Sequence, residues 1–509
     1  MRQNRNCNVP ALSAGLLKGL LISAAGAFIA VFIVTAVMRM GYPFELEWME
    51  GTVADHVSRL AEGRAMYVPP SVRFIPFGYT PLYFYMAAAF RACSSGGFFP
   101  LRLISFLSSL GCLALLFLYV RRETRSMTAA WLAAGLFSAT YALSGTWFDI
   151  ARPDMLFLFL FMAAFFILRY SESAGSAVIA GFLIALAFLT KQSALAVSLP
   201  VMAGLLVYSR KQGFVFSVTI IGIIGVSTLI LDRIHDGWYS VYVFDLPRAR
   251  WLATAVAGKF VQFWTQDLIA PLGIALLFGL AYLYANRKEW RSRPFLLHAG
   301  LALGMIGSSC FVRIEHGGYL NSLIPAFFVC ALLFGLSIPR VYAFFKNAFP
   351  GHGPAAGNIL HVIMLFQFAS LVYYPPYLIP SSADREAGEN LIRHIAETGG
   401  DVWLTHHGYY TGAAGKGEWA SLLALKNVLR VLPPDRADTL IAEFDAAIKH
   451  RKFAAVIVDE YQYPLTQLGL DRYYHRSAPV FASDDVFWPV TGRRTRPEWI
   501  YTPESRDNP

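Results

Sequence analysis

Four short stretches, each set between long apolar runs, hold the residue types that could do chemistry. The first reads Phe44-Glu45-Leu46-Glu47-Trp48-Met49-Glu50-Gly51, with three carboxylates within six positions. If this stretch is helical, Glu47 and Glu50 share a face and Trp48 turns away. A carboxylate held in this way can take a proton from a hydroxyl, although a solvated acidic turn above a membrane accounts for the same residues. The second stretch is Trp147-Phe148-Asp149-Ile150-Ala151-Arg152-Pro153-Asp154. Ionisable groups at a membrane boundary are costly and persist more readily when they pair or serve a site. Asp149 and Asp154 are therefore candidate acidic site residues. The plainer alternative is an Arg152–Asp154 ion pair, with Asp154 capping the next helix. In the third stretch, Leu189-Thr190-Lys191-Gln192-Ser193, a lone lysine interrupts apolar and small residues. Lys191 can meet a departing phosphate or simply snorkel at a helix end. The fourth, Arg313-Ile314-Glu315-His316-Gly317-Gly318-Tyr319-Leu320-Asn321, offers Arg313, His316, Tyr319 and Asn321 for substrate binding. No His or Cys stands at ligand spacing from His316, so no metal is expected there.

The elements that must position these residues are membrane helices. Of 509 residues, 56% are hydrophobic and 15% charged, which is too apolar for an ordinary soluble domain. Runs of roughly 20 residues, the length that crosses a bilayer, occur at 16–37, 101–120, 128–147, 155–169, 174–190, 194–208, 214–231, 268–285, 295–312, 320–338 and 358–377. The expected fold is a polytopic α-helical membrane protein of about eleven transmembrane helices, with a small C-terminal α/β domain. Clusters such as Arg121-Arg122, Arg210-Lys211, Arg287-Lys288 and Arg340 fall on alternate turns, which the positive-inside rule assigns to the cytoplasm. The N-terminus, read as an uncleaved signal anchor, is then inside. The four chemical stretches and the C-terminal domain are outside. Residues 77–92 are apolar, but a crossing there would invert every later loop. They are read as a helix lying along the outer interface, with Tyr79, Tyr83 and Tyr85 at headgroup depth.

The formal charge of +10 is scattered between apolar runs, as contacts with anionic membrane lipids require, and nucleic-acid binding is excluded. Cys7, Cys93, Cys112, Cys310 and Cys330 show no CxxC spacing and imply neither a metal site nor a disulfide framework. After Pro380 the charges spread evenly, and segments at 383–398 (helix), 401–405 (strand), 436–451 (helix) and 454–458 (strand) suggest an α/β unit. The division is a membrane domain over 1–380, whose first outer loop spans 40–100, and an extracytoplasmic domain over 381–509. This domain is expected to cover the site or select the acceptor; the alternative is that His406, His407 and Tyr409 in its loop are merely surface residues.

On these residues the chain resembles the GT-C superfamily of membrane glycosyltransferases, near the protein-mannosyltransferase and aminoarabinose-transferase relatives. Four motifs carry the resemblance over roughly 15–340. They are Glu50-Gly51 followed by Gly63 and Tyr67; Tyr79-Thr80-Pro81-Leu82-Tyr83; Arg152-Pro153-Asp154; and Leu186 through Lys191. Met49 stands where the family carries the first member of an acidic pair, so Glu50 is the preferred base, with Glu47 close behind. The resemblance implies inverting transfer from a polyprenyl-phosphate-linked sugar donor to a glycan, lipid or protein acceptor, without a cofactor, in a bacterial inner membrane. A transporter or flippase of a lipid-linked or anionic solute is the alternative, but no repeated halves are visible.

Overall fold

The computed structural model describes residues 9–91, 97–252, 256–315, 317–349, 353–459 and 465–504. His316, Cys7 and Cys93 lie outside them. Among the described residues, six helices are long and apolar enough to cross a membrane: Ala14–Met40, Phe99–Thr124, Arg210–Ile234, Val256–Ala285, Arg293–Ile314 and Leu320–Ala348. Shorter apolar helices, Met127–Ala139, Ala174–Thr190, Ser193–Tyr208 and Ala355–Ala369, stand with them, as does Asp154–Tyr170. The run at 128–147 departs from expectation. Its helix stops at Ala139, and the chain turns back through Gly145 and Thr146, both at positive φ. The remainder of that run lines the bundle interior as buried loop.

Helix packing sets where the chemical stretches meet. Leu320–Ala348 forms the centre, buried from Ser322 to Ile338. Ser193–Tyr208 approaches Arg293–Ile314 so closely that a Cβ at Gly304 would sit 2.2 Å from the Val197 carbonyl. This is the small-residue contact that membrane helices favour. It fixes the start of one helix, beside Lys191, relative to the end of the other, which leads to Asn321. At one end of the bundle, basic side chains join helix ends in Arg169–Glu123, Arg293–Glu172 and Arg340 with Asn286. The chemical stretches gather at the opposite end. There Arg39, at the end of the first helix, grips Asp149 through two nitrogens at 2.6 and 2.7 Å. The helix in the 77–92 segment is Leu82–Arg91; at 10 residues it spans only about 15 Å and cannot cross a bilayer. Tyr85 is exposed, as an interfacial residue should be. Tyr83 is instead fully buried, and its hydroxyl donates to the Leu101 carbonyl.

The C-terminal region carries a four-stranded sheet in the order β1-β2-β4-β3, with β1 Asp401–Leu404, β2 Phe453–Val458, β3 Tyr474–Pro479 and β4 Trp499–Pro503. β1 and β2 run parallel, and β4 runs antiparallel to both β2 and β3. The parallel pair therefore ends where β4 begins, and three polar residues meet there. His407 lies just beyond β1, Asp459 just beyond β2, and Thr495 just before β4. His407 is buried rather than a surface residue. Its Nδ1 bonds Glu45 of the first loop, and its Nε2 lies 2.9 Å from Asp459, which also accepts the Thr495 hydroxyl at 2.6 Å. Burial alone would strip the imidazole of its proton, but Asp459 and Glu45 on either side hold its pKa well above the usual value. Asp459, which burial would raise, is instead held down to about 2 by His407. An imidazolium between two carboxylates thus ties the C-terminal region to the first loop. Removing one member of such a buried set leaves uncompensated charge, a loss of roughly 3–5 kcal/mol. We therefore expect His407→Ala to lower the thermal midpoint in detergent clearly; an unchanged midpoint would remove the clamp from the account.

Candidate active site

Glu50 opens the helix Glu50–Ala61, where a carboxylate suits the positive end of the helix dipole. Glu47 lies before that helix, in a turn closed by the Glu50 amide donating to the Glu47 carbonyl at 2.9 Å. The two carboxylates therefore do not share a helix face, and they meet different partners. Glu50 is fully buried. Its Oε1 accepts from Arg102 Nε at 3.1 Å and from the Ala151 amide at 2.6 Å; its Oε2 accepts from Arg102 Nη2 and the Leu46 amide, both at 2.7 Å. These four donors fill the sites a carboxylate offers. Burial would raise its pKa, yet Arg102 and the two amides hold it below the ordinary value. A carboxylate so engaged has no oxygen site left for an acceptor proton.

Glu47 is as deeply buried, at 1% exposure, but far less engaged. Oε2 accepts from the Met49 amide at 3.2 Å and stands 3.7 Å from Arg152 Nη1. Burial pushes its pKa up to about 8, against the pull of Arg152. Arg152 lies against Trp147 and Tyr79, 4.5 and 5.2 Å from their ring centres, and donates from Nη2 to the Tyr79 hydroxyl at 2.8 Å. Its Nε and Nη1 are buried without a hydrogen bond among the described residues. Burial opposes its charge, but Tyr79, Glu47 and Asp154 together raise its pKa. This guanidinium can accept an anion on two nitrogens.

Asp154 heads the helix Asp154–Tyr170. It pairs with Lys191 rather than capping against Arg152, and it accepts from Asn321 Nδ2 at 2.8 Å. Lys191 follows the helix Ala174–Thr190, and the neighbouring Gln192 donates to the Gly78 carbonyl at 2.8 Å. Residues from the second, third and fourth stretches thus converge here. Tyr319 borders the same region: its ring lies 5.7 Å from that of Trp147, and its hydroxyl donates to the Gly492 carbonyl at 3.1 Å. Two expected site residues sit elsewhere. Asp149 is engaged by Arg39 and by the Tyr141 hydroxyl at 2.7 Å. Arg313 pairs with Asp267 at 2.7 Å and donates to the Gly318 carbonyl at 2.9 Å. Both are held in structural pairs, so neither is free to act. Among the described residues, no group of three or more His, Cys, Asp or Glu side chains could hold a metal ion.

Arg102, Arg39, Tyr79, Glu45, His407 and Asp459 were not among the expected site residues. Arg39 and Arg102 carried a usable signal, since each is a charge at the end of an apolar run and such charges seldom lack a partner.

Residues 78–232, which include Tyr79, Arg152, Asp154 and Lys191, match the family model for dolichyl-phosphate-mannose-protein mannosyltransferase. No curated protein sequence matches the chain. Among solved structures, ArnT from Cupriavidus metallidurans bound to undecaprenyl phosphate aligns with a TM-score of 0.60 at 14% identity, over 94% of this chain and 98% of that one. The same protein in its apo state gives 0.57 at 14% identity, over 95% and 97%. The Archaeoglobus fulgidus oligosaccharyltransferase tethered to an acceptor peptide gives 0.52 at 13% identity, over 95% of this chain and 74% of that one. A mannosyltransferase family segment thus runs through the site, and the fold is similar to that of ArnT along nearly the whole chain.

Proposed function

We propose that the protein transfers a sugar from a polyprenyl monophosphate to a hydroxyl acceptor at the extracytoplasmic face of a bacterial plasma membrane, with inversion and with Glu47 as the base. The observation that carries this reading is the contrast between the two first-loop carboxylates: Glu50 has every acceptor site filled, whereas Glu47 has one amide partner and a distant guanidinium. Undecaprenyl phosphate in the ArnT structure supports the donor class. The orientation assumed has about eleven crossings, with the arginine-rich turns inside. Residues 381–509 then form an outer domain over the site.

In this reaction the acceptor oxygen attacks the anomeric carbon on the face opposite the phosphate. The new C–O bond forms as the bond from that carbon to the phosphate oxygen breaks. The proton passes to Glu47, and the electron pair leaves with the phosphate. Lys191, held by Asp154 and close to Asn321, meets the developing charge together with the unpartnered nitrogens of Arg152. One monophosphate needs no more than these two cations, so no metal is assigned to the step.

Four outcomes follow. Glu47→Gln removes the base and slows donor turnover by roughly a hundredfold or more while leaving the thermal midpoint unchanged. Glu50→Gln breaks a buried pair with Arg102, so its loss of activity accompanies a fall in stability of roughly 3 kcal/mol; the reverse pattern would make Glu50 the base. The ionised form of Glu47 does the work, so kcat/KM rises with pH and levels off above about 8. A plateau already reached at pH 5 would place the base elsewhere. Lys191→Met lowers kcat for release of polyprenyl phosphate by about two orders of magnitude, as loss of a charge-stabilising donor does. Wild-type release by that variant would remove the lysine from the mechanism.

A further inference from the structure

Glu47 owes its burial to a segment more than four hundred residues away. Thr491 pairs with Glu47 in an isolated parallel bridge. The Thr491 amide donates to the Leu46 carbonyl at 3.2 Å, its hydroxyl donates to the Gly145 carbonyl, and the next carbonyl, that of Gly492, accepts from Tyr319 at 3.1 Å. Gly492 adopts φ +84°, and a Cβ there would lie 2.7 Å from Glu47 Cγ and 2.8 Å from Glu47 Oε1. Glu47 itself is only 1% exposed. In this arrangement no acceptor reaches the carboxylate.

The two roots of the segment are held differently from its tip. On one side, buried Phe487 packs against Phe44, and its amide donates to Asp384 at 2.7 Å. On the other, Thr495 bonds Asp459 of the ionic clamp at 2.6 Å, and the Arg496 guanidinium lies over Trp488 and Phe481. Thr491 and Gly492 themselves are held through neutral hydrogen bonds between backbone and hydroxyl groups, each individually weak in net terms. Lifting the tip breaks these and leaves the roots intact.

We propose that the strap at Thr491 and Gly492 is the gate of the acceptor port: seated, it keeps water from the donor; raised, it admits the acceptor hydroxyl to Glu47. The inference rests on Glu47 as the base. The strap also accounts for the low polarity around that carboxylate, whose charged neighbours are Arg152, Glu50 and Glu45, with Tyr319 on the facing side. Excluding water in this way suppresses the competing hydrolysis of an activated sugar.

The test is amide hydrogen exchange on the purified full-length protein, read by mass spectrometry, with the peptide covering 488–494 compared with β2 and β4. A gate exchanges by local opening, faster than either strand. Thr491→Val, which removes one neutral hydrogen bond, speeds that exchange roughly fivefold. Gly492→Ala wedges the tip off Glu47 and speeds it further. The same variants are then given a polyprenyl-phosphate sugar with glycerol as a probe acceptor. Hydrolysis gains on transfer, and the acid limb of the rate profile moves below its wild-type position as water enters. Strap amides as protected as β2, and indifferent to Thr491→Val, would make the segment a fixed wall and overturn the gate even if Glu47→Gln is inactive. Rapid strap exchange in a protein whose Glu47→Gln variant keeps full turnover would sink the base assignment, and with it a gate onto Glu47.

Discussion

A single buried guanidinium dictates how the outer end of this bundle is built. Arg102, in the first turn of the helix Phe99–Thr124, has no exposed surface, and all five of its N–H donors are engaged. Two hold Glu50, and the others hold the carbonyls of Arg39, Tyr42 and Phe44 at 3.3, 2.6 and 2.6 Å. A charge removed from water at a membrane boundary has to be matched donor by donor, so the chain from 39 to 50 has little choice of path. Glu50 passes the constraint on. Its Oε1 fixes the Ala151 amide, and that contact places the next residue, Arg152, within 3.7 Å of Glu47. The placement of Arg152 beside Glu47 is thus a consequence of the Arg102–Glu50 pair.

The site separates into saturated and unsaturated charges, and the distinction sorts structure from chemistry. Arg102 with Glu50, and Arg39 with Asp149, have their hydrogen-bonding positions taken up by each other and by neighbouring backbone and hydroxyl groups. Glu47 and Arg152 sit side by side with positions to spare. A buried carboxylate short of donors is pushed toward the proton-bound form and becomes a stronger base when ionised. A buried guanidinium with two nitrogens free of hydrogen bonds among the described residues can donate to an anion. Lys191, by contrast, is steadied by Asp154 and retains donors for a phosphate.

The helices were readable in the sequence because hydropathy over a membrane thickness is a local property. The runs at 174–190 and 194–208 reappear almost residue for residue as Ala174–Thr190 and Ser193–Tyr208. The run at 128–147 misled because composition does not register Gly145 and Thr146 at positive φ, where the chain turns back to line the interior. The convergence of Asp154, Lys191 and Asn321 was legible from loop parity alone. What stayed hidden was the choice of partners, which is non-local. Nothing near Glu50 announces Arg102, fifty-two positions away, so Glu50 looked as available as Glu47. Asp149 and Arg313 looked free for the same reason, since Arg39 and Asp267 claim them only in three dimensions. His407 followed a short strand and read as surface; the parallel pairing of β1 with β2 brought it beside Asp459 and buried both.

The C-terminal region therefore contributes more than a cover. It reaches the first loop through an ionic contact at Glu45 and a neutral one at Glu47, two residues apart, and the two contacts differ in kind. The imidazolium between Glu45 and Asp459 is expensive to break, because parting it strands charge in a dry interior. Thr491 and Gly492 over Glu47 are held through neutral hydrogen bonds, each weaker in net terms than a buried ion pair. The proposed reaction, which excludes water from an activated sugar and still admits a hydroxyl, calls for a firm joint beside a weak one. Charge in one contact and its absence in the other provide both within a single turn of chain.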